Sequence, residues 1–183
     1  LLWNVLQSHP SLVSVMKETG EYLFPRPWNK IQGPLRSVLL SLDSLGANRI
    51  EAIERHKSEN LVSKDHQEKA PGVLYSEDEI QNAIPVYKSL NEDVFLNPLF
   101  HKAFDEVFTI AIVRNGYALC ESWKRRGRTT AEAIDHYHRI GRYFMEQEQK
   151  DPRFKVVRME DILIDPFALS LELNKFLGLD PLE

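Results

Sequence analysis

Apolar positions along the chain switch between two spacings, and the clearest switch lies in residues 108–126. Phe108, Ile110, Ile112 and Val113 form a short apolar run rich in β-branched residues, as in a strand covered on both faces. Arg114-Asn115-Gly116 breaks the run, and Asn and Gly supply the permissive backbone expected of a tight turn. A helix starting near Tyr117 would then place Ser122 and Arg126 one turn apart on one face.

Similar switches recur in both directions. Leu2, Val5, Leu6 and His9 share one face of an opening helix, and Leu12, Val13 and Val15 predict a short strand. Residues 17–21, which include Glu18 and Glu21, read as the loop at that strand's end. Phe24-Pro25-Arg26-Pro27-Trp28 predicts a rigid loop, because two prolines remove donors and restrict their neighbours. Residues 34–55 predict one or two helices, and 56–71 a polar surface insertion. Residues 77–82 predict a helical turn, 84–87 a strand and 95–105 a helix. Thr129 and Glu132 have the spacing of a capping box, ahead of a helical run through Ile134, Tyr137, Ile140 and Phe144 to about Glu148. A strand over 154–157 follows, and then a last helix with Asp165 as N-cap, Pro166 in its first turn and Gly178 at its end. Strand, helix, strand in this order is the βαβ unit of a parallel sheet, so the fold class is α/β with helices flanking the sheet.

Composition narrows the function classes. The 183 residues suit one domain with a real core, at 43% hydrophobic and 27% charged residues. A net charge of -4 argues against general nucleic-acid binding, although Lys124, Arg125, Arg126 and Arg128 form a local basic cluster. The single cysteine, Cys120, allows no intrachain disulfide, and no Asn-x-Ser/Thr acceptor occurs. Both features favour a reducing, cytoplasmic compartment. No apolar run reaches membrane-spanning length. His56 and His66 lack the companions of a metal site, so no metal is expected. Arg114 falls at the carboxyl end of a predicted strand, where open α/β sheets bind ligands. Two guanidinium groups and a hydroxyl, from Arg114, Arg126 and Ser122, would suit a phosphate.

The segment Val113-Arg114-Asn115-Gly116, with Ser122 eight residues after the Arg, resembles the 3′-phosphate-binding segment of sulfotransferases that use 3′-phosphoadenosine-5′-phosphosulfate (PAPS). Gly116 and the further basic Arg126 are closer to the tyrosylprotein and carbohydrate branch than to the cytosolic aryl enzymes. Ser8-His9-Pro10, Lys88-Ser89-Leu90-Asn91, and Glu160-Asp161 with Asp165-Pro166 and Phe176-Leu177-Gly178-Leu179 resemble further family segments. The resemblance implies a three-layer fold related to P-loop nucleotide-binding proteins, and transfer of a sulfuryl group from PAPS to a hydroxyl or amine, leaving PAP. It implies Arg114, Ser122 and Arg126 on the 3′-phosphate, Lys88 beside the transferring group, and Glu18 as base with Glu21 as alternative. Glu18 lies a residue or two further from the His-Pro pair than the family spacing, Leu90 replaces a family Pro, and Met159 replaces a Tyr that contacts adenine. A thioether can pack on a base but cannot donate a hydrogen bond to it. Glu160 and Asp161 read as structural, capping or pairing locally. The expected organisation is one sulfotransferase-like domain over 1–183, lacking the family's N-terminal phosphate-binding loop and C-terminal cofactor loop. The acceptor remains open among small molecules, carbohydrates and peptides. A P-loop kinase-like phosphotransferase and a non-catalytic PAP-binding relative are the rival readings.

Overall fold

Among the described residues, two parallel strand pairs carry the structure. The computed structural model describes Leu2, Leu6, His9, residues 11–18, Asn82 and residues 84–181. The chain divides into two compact units, Leu1–Glu106 and Val107–Glu183. Among the described residues no helix is long and apolar enough to cross a membrane.

In the first unit β1 (Leu12–Glu18) pairs in parallel with β2 (Ile84–Lys88). Leu2 and Leu6 are helical and buried, as their spacing predicts, and His9 is buried where the chain turns into β1. The His9 ring holds that turn: its Nδ1 accepts from the Ser11 N–H at 3.1 Å. The strand is longer than expected. Lys17 and Glu18, read from sequence as loop, belong to β1, because β2 supplies a parallel partner as far as Glu18. The helix expected over 95–105 divides into a 3-10 segment, Asn91–Leu96, and α1 (Asn97–Ala103), with Pro98 in its first turn.

The second unit runs β3 (Thr109–Val113), α2 (Gly116–Arg125), α3 (Thr130–Lys150), β4 (Phe154–Arg158), α4 (Met159–Ile164) and α5 (Pro166–Leu177). β3 and β4 pair in parallel from Thr109↔Phe154 to Val113↔Arg158. Adjacent residues of a strand face opposite sides of the sheet. Phe154 meets Tyr143 and Phe144 of α3, with ring centroids 6.4 and 5.8 Å away. Lys155 points to α5, where Nζ lies 2.7 Å from Glu172 and 5.7 Å from the centre of the Phe176 ring. The two helices therefore cover opposite faces of β4. Ile162, Leu173 and Ala133 are fully buried, with Phe154 nearly so. Glu148 of α3 accepts from the Val156 N–H at 2.7 Å, satisfying a donor on β4.

Local signals in the sequence account for the element ends. Thr129 and Glu132 close the capping box. Asp165 caps α5 by accepting from Ala168 N–H at 2.9 Å. Both α2 and α5 stop at a left-handed glycine, Gly127 (φ 76°) and Gly178 (φ 68°). At the first, Arg128 N–H returns to Trp123 C=O and Gly127 N–H to Lys124 C=O; at the second, Leu179 N–H returns to Asn174 and Gly178 N–H to Lys175. This pairing is the Schellman motif, and only glycine adopts its left-handed position without cost.

The protein is thus mixed α/β, with small parallel sheets and flanking helices. The loop expected at residues 24–28, the helices at 34–55, the polar insertion at 56–71 and Glu21 lie outside the described residues, as does the turn at 77–82 apart from the helical Asn82. Leu173→Ala, a cavity at a fully buried position, is expected to cost about 2–5 kcal/mol in chemical denaturation. Met145→Ala, at a position 64% exposed, should stay within about 0.5 kcal/mol. Equal effects would contradict the assigned core.

Candidate functional site

The carboxyl ends of the strands hold Glu18 and Lys88 in the first unit and Arg114 in the second. In the first unit the register begins Leu12↔Ile84, Val13↔Pro85, Ser14↔Val86 and resumes at Glu18↔Lys88. β1 takes four steps from Ser14 to Glu18 while β2 takes two from Val86 to Lys88, so β1 carries two extra residues in a bulge. Bulges are uncommon in parallel pairs, and they re-aim the chain next to sites. The surplus residues are absorbed inside the strand, and Glu18 arrives opposite Lys88 at the strand ends. Lys88 is exposed, as are Ser89 and Leu90 after it.

In the second unit Arg114 follows β3 directly and is exposed. The turn after it differs from the one expected. Asn115 has φ -48° and ψ 128°, and the described positive-φ glycines do not include Gly116, which is the first residue of α2. Hydrogen bonds replace backbone permissiveness here. Asn115 N–H donates to Glu160 Oε1 at 2.9 Å, and Asn115 Oδ1 accepts from Tyr117 N–H at 2.9 Å as the N-cap of α2. A Cβ at Gly116 would meet the Tyr137 ring at 3.6 Å, an ordinary van der Waals contact, so neither backbone conformation nor packing demands glycine there.

Ser122 lies within α2 and is half-buried, about 9 Å along the axis from Gly116 at ~1.5 Å per residue. Arg126 is the C-cap residue, at the far end of the helix from Arg114, about 15 Å away on the same count. The helix axis separates the two guanidinium-bearing positions rather than converging them. The neighbouring basic residues have acidic partners: Arg125 pairs with Glu121 of its own helix at 2.6 Å, and Arg128, in the link before α3, with Glu132 at 3.5 Å. Lys124 and Arg125 occupy the last turn of α2, where cations complement the helix dipole.

Two residues gain importance that the sequence reading did not give them. Arg158, the last residue of β4, pairs with Val113 and so stands beside Arg114 at the same sheet end. Its Nε is 3.9 Å from Asp161, the local partner expected of that acid. The available signal was its place directly after the predicted strand 154–157, the position Arg114 holds after 108–113. Glu160 does cap, as expected, but its partner is a residue distant in sequence and adjacent through strand pairing. The Asn115 N–H holds the Glu160 carboxyl below the usual carboxylate range, helped by the backbone N–H of Glu160 itself and the charges of Arg158 and Arg114. Met159 is half-buried at the start of α4. Among the described residues, no group of three or more His, Cys, Asp and Glu side chains is placed to hold a metal ion.

Comparison of the chain with protein-family models, with curated proteins and with solved structures finds no match.

The contribution of the Glu160 contact to stability is present above the unfolded carboxyl pKa and is lost as pH falls through the lower folded value. An NMR pH titration should therefore show the Asn115 amide resonance shifting with a midpoint below the ordinary glutamate range. An Asn115 amide insensitive to acid would contradict the contact.

Proposed function

We propose that the protein is a PAPS-dependent sulfotransferase with a three-layer fold related to P-loop nucleotide-binding proteins, acting on a hydroxyl or amine acceptor. The observation that carries the reading is the register that makes Glu18 and Lys88 direct partners at the carboxyl ends of parallel strands. These residues are far apart in sequence, and the resemblance assigns one as base and the other as cation. Their pairing supports a transfer centre at that sheet end.

In the transfer, the acceptor oxygen attacks sulfur while Glu18 takes its proton. The bond between sulfur and the bridging oxygen breaks, and the electron pair leaves with the 5′-phosphate of PAP. Lys88 balances the charge that builds on the sulfonate and bridging oxygens. Arg114 is the proposed anchor of the 3′-phosphate, supported by its exposed place at the end of β3 and by the fixed turn after it. Ser122 would add a hydroxyl donor from α2. Arg126, at the opposite end of that helix, carries the least of the proposed binding.

Thermal denaturation with PAP tests the reading. PAP at ~100 times its dissociation constant should add roughly 2.7 kcal/mol of stability, Arg114→Ala should remove the effect, and ATP–Mg²⁺ should not reproduce it. With phenol, sugar and tyrosyl-peptide acceptors, Glu18→Gln should lower PAP release from PAPS by about 10²- to 10⁴-fold while PAP binding persists. A response to ATP–Mg²⁺ without one to PAP would favour phosphoryl transfer. PAP binding without turnover across the acceptors would favour a non-catalytic relative.

A further inference from the structure

We infer that Glu160 is a positioning residue of the anion site: its carboxylate ties the turn after β3 to the turn after β4 and so fixes where Arg114 presents its guanidinium. The inference rests on the proposed binding of the PAP 3′-phosphate by Arg114.

Strand pairing brings the two turns together. Val113 and Arg158 are parallel partners, so the chain leaves both strands at one sheet end. From β3 it passes through Arg114 to Asn115, the N-cap of α2; from β4 it passes directly into α4, whose second residue is Glu160. The Glu160 Oε1 to Asn115 N distance of 2.9 Å is the hydrogen bond that spans the two turns. It acts on the residue immediately after Arg114, at a turn without a left-handed glycine to set its path. The Asn115 side chain is committed to Tyr117 N–H, and Leu119 N–H returns to Asn115 C=O. Asn115 is therefore tied to α4 by its N–H and to α2 by its side chain and carbonyl.

The same carboxylate has an opposing effect on an incoming anion. It lies within electrostatic reach of both Arg158 and Arg114, so its charge offsets part of the positive field that a phosphate would meet. Tether and charge can be separated by substitution. Glu160→Gln keeps an oxygen that accepts from Asn115 N–H and removes the charge. Glu160→Asp keeps the charge and withdraws the oxygen by one methylene.

Calorimetric titration of the full chain with PAP, and with adenosine 5′-phosphate as the probe lacking a 3′-phosphate, reads both effects. Glu160→Asp is expected to bind PAP about tenfold more weakly than the parent, the scale of one lost hydrogen bond, with adenosine 5′-phosphate unaffected. Glu160→Gln is expected to bind PAP at least as tightly as the parent. Unchanged PAP binding by the Asp variant, a Gln variant as weak as the Asp variant, or an equal loss with both nucleotides would each overturn the positioning role while leaving the proposed function intact. Absence of PAP binding by the parent chain would overturn the proposed function, and this inference with it.

Discussion

Parallel pairing is the constraint on which the rest of the structure depends. Parallel strands leave the sheet at the same end, and each return must cross back over a face. In the second unit this brings Arg114 and Arg158 to one edge, with α3 and α5 on opposite faces of β4. In the first unit it brings Glu18 to Lys88. Residues remote in sequence become neighbours through backbone register. The buried Phe154, Ile162 and Leu173 then hold the second sheet against its helices.

The carboxyl edge of the second unit is built from internally satisfied groups. Asn115 and Glu160 account for donors at the start of α2 that could otherwise turn outward to an anion. Recognition of a phosphate there would fall mainly on side chains, with Arg114 foremost. This differs from a glycine-rich loop that cradles phosphate with its backbone. A forked guanidinium suits that task, because its donors keep a fixed geometry and its charge persists at all working pH values.

Signals that act over a few residues were legible in the sequence. The four strands among the described residues, the capping box at Thr129, the Asp165 cap and the Gly178 stop all appear where their local chemistry places them. What escaped depends on partners distant in the chain. The extension of β1 through Glu18 requires β2 alongside it, and the bulge that aligns Glu18 with Lys88 is a difference in length between two strands. The Asn115-Gly116 turn looked like a case for glycine freedom, yet it is set by a carboxylate from another strand end. Arg126 shares a helix face spacing with Ser122, but spacing along one face says nothing of the helix length separating it from Arg114.

The most direct test of the account is a backbone amide chemical-shift map of the full chain, recorded as PAP is added. Shifts are expected to concentrate at Arg114, Asn115, Tyr117 and Ser122 and at the β4–α4 junction around Arg158 and Glu160, with α5 unchanged. Saturable PAP shifts centred on α3 or α5, with the residues after β3 unmoved, would contradict it.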